Sequence, residues 1–452
     1  MHTRRHEQMK EEMEKVVAVL EATPPIDPTR TISTEEFKGR QRKVWEAVSE
    51  AGFDAGFVFS NEHFHGDVPY LGGNTNIQVE QVAGVIGPNG FHIIAGLEGG
   101  YAVEQLAWRA DAPVHKAEML KLADEDFPID AERPEEVFEA ACGKTPRRIA
   151  LLSPREVVPV QMVDFLQDHF GRDSVIDAQK IYGKIRYEKS DAEMELTKDS
   201  TAIADATMRA MLAVLKPGIR ETEVSAWGNF VARHLGAEEF GFDIVVNTGL
   251  ANRSLIGKAL NNTIQAGDMV QLGIGPKRDG LASCVRRSVV VLEPGEQMPE
   301  NYRYWLDMIT DVYQVALDQF IATARDGLPA YTIEKAIVDF LGEKSDEVSR
   351  RAGRLIDLPY QKPYSSVHNA GYTECLEFYG GVTLDSQEPL GNQIVNMVDV
   401  AIRGSGSKWD DRIIPDIDYV VIENTCGKWG QRAECLNNVP PNAQHLVGHG
   451  ID

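Results

Sequence analysis

The sequence predicts an α+β protein of two domains behind a short N-terminal arm. Three observations predict it. The chain of 452 residues is longer than one hydrophobic core usually serves. Up to residue 184, short apolar runs bounded by turn residues alternate with helical patterns, as in a small α/β domain. Beyond that point helices and strands come in separate runs, the pattern of an antiparallel sheet with segregated helices.

Residues 1–33 open with a charged helical pattern and break at PPIDPTR, which reads as an arm of the kind that embraces a partner subunit. The run from Thr34 to Gly52 starts with a capping pattern, keeps apolar residues at helical spacing and stops at glycine, so it reads as a helix. AGFVFS, VAGVIGP, FHIIAGL and RRIALL read as short buried strands, with a helix over Tyr101 to Arg109. A long helix is predicted from Glu188 to Leu215, closed by Lys216-Pro217-Gly218, and a second over TEVSAWGNFVARHLGA. Strands follow at FDIVVNTG, GDMVQLGIG and LASCVRRSVVVL. Two helices between Asn301 and Gly342 precede strands at NQIVNMVDVAI and DIDYVVIEN.

Composition narrows the function classes. A formal net charge of −23 argues against nucleic acid and anionic membrane surfaces as partners, since both are bound through Lys and Arg. No run approaches the roughly 20 apolar residues of a membrane span, and the charged N-terminus lacks a signal-peptide core, so a cytoplasmic location is expected. Five cysteines (Cys142, Cys284, Cys375, Cys426, Cys435), odd in number and without CxxC pairing, read as reduced thiols rather than a disulfide framework or structural zinc site.

Four landmarks fall in one order: Ile185-Arg186-Tyr187-Glu188-Lys189-Ser190, Leu215-Lys216-Pro217-Gly218 with Thr222-Glu223, Gln265-Ala266-Gly267-Asp268, and the segment Gly280 to Ser288. In that order they resemble the creatinase, prolidase and aminopeptidase P superfamily. The resemblance covers roughly residues 35 to 440 and implies a pita-bread domain over 185–452, preceded by a creatinase-like α/β domain over 34–184. Its metallopeptidases hold two cations with two Asp, one His and two Glu. Carried onto this chain, those positions are Gly273, Cys284, His368, Asp399 and Ile417, the last beside Asp418. Only His368 and Asp399 keep a ligand side chain, so a metal-free, creatinase-like branch without cofactor is expected.

The function expected on that basis is a metal-independent hydrolase of a C–N bond, other than a peptide bond, in a small polar molecule. A homodimer is implied, with the N-terminal domain facing the neighbouring cleft. His368, Cys284 and Asp399 are the candidate catalytic residues: an imidazole to move protons, a thiol beside Arg286 and Arg287, and a carboxylate to orient them. Asn252, Arg286, Glu377, Asp418 and Glu80 are the candidate substrate contacts. Asn252 stands where creatinase has its catalytic His; Glu80 and Arg286 invert the charge of the matching creatinase residues, which points away from creatine. Glu374 reads as a solvated loop residue, and His63 and His65 as residues that either face a partner's cleft or pair as a surface metal trap. The alternatives are a lyase of the dimethylsulfoniopropionate-lyase type and a non-catalytic binding protein.

Overall fold

The computed structural model describes residues 2–122, 126, 128–254 and 256–451. Among these, the first half of the chain forms β1 (Ala55–Ser60), β2 (Val82–Gly87), β3 (Gly90–Ala95), β4 (Val114–Lys116), β5 (Ile149–Leu151) and β6 (Val175–Asp177). They make one sheet in the order β4-β3-β2-β1-β5-β6. Around it lie α2 (Thr34–Glu50), α3 (Asp67–Gly72), α4 (Gly99–Ala107), α5 (Pro134–Cys142), α6 (Val160–Phe170) and α7 (Gln179–Tyr187), while the first helix, α1 (His2–Ala22), packs on the second half of the chain. The start of α2 is set by Ser33, whose hydroxyl accepts the Glu36 N–H.

The second half opens with α8 (Asp191–Val214) and α9 (Glu221–His234). Helix α8 begins in a full capping box, Ser190 and Glu193 each satisfying the other's backbone N–H, and ends before Gly218, whose φ of +86° only glycine adopts freely. There follow β7 (Glu239–Asn247), β8 (Met269–Arg278), β9 (Leu281–Ala282), β10 (Val285–Val290), α10 (Glu300–Asp326), α11 (Tyr331–Ala352), β11 (Val367–Asn369), β12 (Gln393–Arg403), β13 (Tyr419–Trp429) and β14 (Arg432–Cys435). The sheet path is β11-β12-β13-β10-β8-β7, antiparallel throughout, with β14 on β13 and β9 on β8.

One face of this sheet is closed by helices. Val270, Leu272 and Ile274 of β8 pack with residues of α8 and α9, while Val398, Val400, Val420 and Ile422 of β12 and β13 pack with α10 and α11. Strand side chains alternate, so the residues between these point to the other face. That face carries the site.

The arm does not reach away from the chain. Val16 and Val19 of α1 are buried against α8, and Glu12 accepts the Trp227 indole N–H at 3.0 Å and pairs with Lys216 at 2.9 Å. Within the chain the arm docks on the second domain. Arg287, fully buried, donates to the carbonyls of Pro440 and Val439 and to Asn424 Oδ1, which ties the C-terminal segment across the sheet. Among the described residues no helix is long and apolar enough to cross a membrane.

Candidate active site

Register builds the centre. Gly273 lies opposite Arg286, Arg286 opposite Glu423, and Glu423 opposite Asp399, so four neighbouring strands set one row of residues side by side on the open face. β11 adds His368 at the edge, opposite Met397. The loop after it brings Glu374 back over the row, where Gly241 makes room: a Cβ there would lie 2.7 Å from the Glu374 Cβ.

Arg286 is the hub. Its Nη1 lies 3.5 Å from both Asp399 Oδ2 and Glu423 Oε2, and its Nη2 donates to Gln271 Oε1 at 2.5 Å and to the Tyr419 hydroxyl at 3.1 Å. Tyr364 donates to Asp399 Oδ1 at 3.0 Å. His368 Nε2 sits 3.4 Å from Glu423 Oε1 and 3.8 Å from Glu374 Oε1, with a quarter of its side chain exposed. It is the member of the cluster that faces solvent most openly.

Burial and mutual repulsion set the protonation states. Burial opposes charge on Glu423, but His368 and Arg286 beside it win and hold its carboxyl well below the usual range. Burial and then the Glu423 charge push Glu374 and Asp399 upward. Burial works against protonated His368, yet Glu423 and Glu374 outweigh it and lift the imidazole to about 10. The centre therefore keeps one firm anion, Glu423, between two cations. The other two carboxyls are held near neutrality.

Not every expected site residue joins this centre. His368, Asp399 and Arg286 do. Asn252 stands one layer behind, its Oδ1 3.4 Å from the amide of Gln271, which in turn holds Arg286. Glu377 is buried elsewhere, accepting from Arg186 and from Thr373, and it shapes the loop rather than the cleft. Asp418 pairs with Arg253 at 2.7 Å and with Arg412 at 3.5 Å, outside the row. Glu80 belongs to the N-terminal domain, where it accepts the Gly99 N–H at the start of α4. His65 is buried with its Nδ1 3.0 Å from Lys277 Nζ, not facing outward.

Two residues that sequence reasoning missed complete the site. Ile417 was placed at the last ligand position by the resemblance; it packs instead in the core under α10 and α11, and Glu423 six residues on holds the place beside Asp399. The signal was present, since Glu423 directly follows the apolar run Tyr419-Val420-Val421-Ile422. Glu374, read as solvated, is buried.

Cys284 lies between β9 and β10, fully buried, its backbone N–H donating to Thr425 Oγ1 at 2.8 Å. Burial, then Glu423 and Glu374, push its thiol well above the ordinary range against the pull of Arg286. A buried neutral thiol is not a poised nucleophile, so the expectation that Cys284 attacks substrate is not supported by its surroundings. Iodoacetamide should leave Cys284 unmodified until denaturant is added, as read by peptide mass mapping; alkylation in the folded protein would restore the nucleophile reading.

An antiparallel sheet backed by helices on one face, with buried carboxylates, an imidazole and a guanidinium on the other, defines a pita-bread type of fold around a charged, buried centre. Residues 195–386 match the model of metallopeptidase family M24, a span that includes Arg286, His368 and Glu374 and stops short of Asp399 and Glu423. The chain is 35% identical over 124 residues to the uncharacterized peptidase YqhT of Bacillus subtilis, covering 27% of this chain and 35% of that protein. It is 23% identical over 262 residues to the Xaa-Pro dipeptidase of Pyrococcus horikoshii, covering 57% of this chain and 70% of that one. The matched stretch thus spans about a third of the first relative. In three dimensions the prolidase from Pyrococcus horikoshii superposes with a TM-score of 0.68 at 17% identity, covering 88% of this chain and 98% of that one. The X-Pro aminopeptidase from Thermotoga maritima gives 0.66 at 17% identity over 89% and 98%. The superpositions show the pita-bread fold, and residues 195–386 resemble metallopeptidase family M24.

They also overturn the expected function. A hydrolase of a non-peptide C–N bond in a small polar molecule is not what the matched proteins are: their names are those of peptidases and Xaa-Pro dipeptidases, and the matching family model is one of metallopeptidases. The finer placement in a metal-free creatinase-like branch is not shown by these relatives, and its ligand set took Ile417 where Glu423 stands beside Asp399. A two-cation centre still does not fit these residues. Arg286 fills part of its space, and a Cβ on Gly273 would fall 2.9 Å from the Arg286 Cγ, so a carboxylate at 273 and this arginine exclude each other.

Proposed function

We propose that this chain is a hydrolase of short peptides, cleaving a peptide bond over the row Arg286–Glu423–Asp399. The observation that carries the reading is the convergence of His368, Glu374, Asp399, Glu423 and Arg286 on one open sheet face, in a domain similar to that of peptidases. The similarity of the Pyrococcus horikoshii Xaa-Pro dipeptidase makes dipeptides the first substrates to consider.

The chemistry follows from the charges. Arg286, locked between Asp399 and Glu423, is a fixed cation whose position costs no reorganisation when negative charge develops on a carbonyl oxygen. His368, held protonated by Glu423 and partly exposed to the cleft, is placed to give a proton to a departing amine. Glu374, buried beside it and raised toward neutrality, can take up or return a proton as the charge on His368 changes.

The test is a panel of dipeptides, Xaa-Pro among them, incubated with the purified protein with and without added zinc, cobalt or manganese. Release of free amino acids above that of a His368→Asn control is expected for at least one member. Absence of release across the panel under every metal condition would sink the reading.

A further inference from the structure

We propose that Cys426 and Cys435 are a reversible dithiol–disulfide pair, oxidised by small-molecule disulfides of the glutathione class. Register places them. Strands β13 and β14 are joined through Gly430 and Gln431 alone, with Gly430 at a φ of +59°, and this short turn sets Trp429 opposite Arg432 and Cys426 opposite Cys435. The Leu436 N–H donates to the Thr425 carbonyl at 2.9 Å, so the next pair along the ladder, Cys426 and Cys435, is a non-hydrogen-bonded one. Such pairs bring their Cα atoms to about 4.5 Å, inside the roughly 4.4–6.8 Å that a disulfide spans. Both side chains leave the same face of the hairpin. The Cys426 thiol hydrogen-bonds the Cys435 sulfur, so the two sulfurs face each other before any bond forms.

The two thiols have unequal roles. Cys426 is fully buried in the core under α10 and α11, whereas Cys435 is partly exposed, which makes its sulfur the one a dissolved reagent can reach. Cys435 also has the surroundings of an attacking thiolate, since Tyr313 of α10 donates its hydroxyl to the sulfur at 3.5 Å. The hydrogen bond from Cys426, and with it that from Tyr313, outweighs burial and holds the Cys435 thiol below its ordinary range; the same bond to Cys435, and then burial, push Cys426 up. In the first step the Cys435 thiolate attacks one sulfur of the reagent, forming a mixed disulfide and expelling a thiolate with the electron pair of the broken S–S bond. Cys426 then gives up its proton and attacks the Cys435 sulfur, expelling the second thiolate. Two protein thiols are thereby oxidised, one small disulfide is reduced to two thiols, and the two protons pass to the leaving groups. The pair lies on the helix-covered face of β13, away from the row of Arg286, Glu423 and Asp399, so the inference stands apart from the peptidase reading.

The test uses the folded, full-length protein, incubated with glutathione disulfide at mildly alkaline pH, quenched with acid and mapped by peptide mass spectrometry without reduction. A Cys426–Cys435 cross-link is expected in most molecules, with dithiothreitol restoring both thiols. Cys426→Ala should stop at the first step and retain one glutathione on Cys435, and Cys435→Ala should leave Cys426 unmodified. A stable glutathione adduct on Cys435 of the parent without the cross-link, no reaction at either residue, or a cross-link that forms only after denaturant is added would each overturn the proposal. Should Cys426→Ala fail to fold, the map of the parent and that of Cys435→Ala, changed at the partly exposed position, decide alone.

Discussion

Replacing Glu423 by Gln should lower kcat on a hydrolysed dipeptide by roughly 10² to 10⁴, the size expected when a charged group that sets proton transfer is removed. Glu423 is the one firm anion of the centre. It fixes Arg286 from one side at 3.5 Å and holds His368 protonated from the other at 3.4 Å. Gln keeps the shape but not the charge, so the imidazole falls back toward its ordinary range and Arg286 keeps only Asp399 as an ionised neighbour. The fold should survive. Repulsion from Glu423 is part of what pushes Glu374 and Asp399 up, and once it is gone they ionise more readily and replace the lost charge. The stability loss in urea should therefore stay below the ~3–5 kcal/mol typical of breaking a buried ion pair. Turnover within threefold of the parent would mean that the chemistry is not done at this row.

The pattern of success in reading the sequence has a physical basis. Strands β1, β8, β12 and β13 were legible because their apolar runs are bounded by turn residues, and α8 was legible because Ser190, Glu193 and Gly218 mark its ends. Individual site positions were harder, because the site is assembled by register across strands far apart in sequence. Gly273 and Arg286 were placed by local spacing, and the structure sets them opposite each other. Glu423 was missed because the irregular segment between β12 and β13, bridged at Ser405 and Arg412, leaves no regular spacing that leads from Asp399 to its cross-strand partner. Glu374 was misread for a different reason: a charged loop residue is usually solvated, and only the close approach permitted by Gly241 buries this one. Glu80, expected to reach substrate, is held by Gly96 and Gly99, whose missing side chains leave its carboxylate space to cap α4.

Arg186→Met should be the most damaging single change to stability outside the centre, costing about 3–5 kcal/mol because it strands two buried carboxylates. Arg186, at the end of α7, pairs through Nη1 with Asp67 and through Nη2 with Glu377 at 2.8 Å. Asp67 starts α3 and is held by the Ser153 hydroxyl, while Glu377 anchors the loop that carries Glu374, so one guanidinium fastens the first domain to the edge of the site. Burial opposes the charge on Arg186, but Glu377 and Asp67 outweigh it and keep it protonated. Even with this partner, burial lifts Asp67 from 3.8 to about 6. A carboxyl raised on folding contributes stability that is complete below its unfolded value and is lost as pH rises through the folded one. In Arg186→Met burial acts on Asp67 without its main counter-charge, so the value climbs further and the loss extends to higher pH. The deficit relative to the parent, measured by urea unfolding, should thus be larger at pH 8 than at pH 5. A variant that unfolds within 1 kcal/mol of the parent at both pH values, on the scale of an exposed pair, would show that this ion triad does not hold the two domains together.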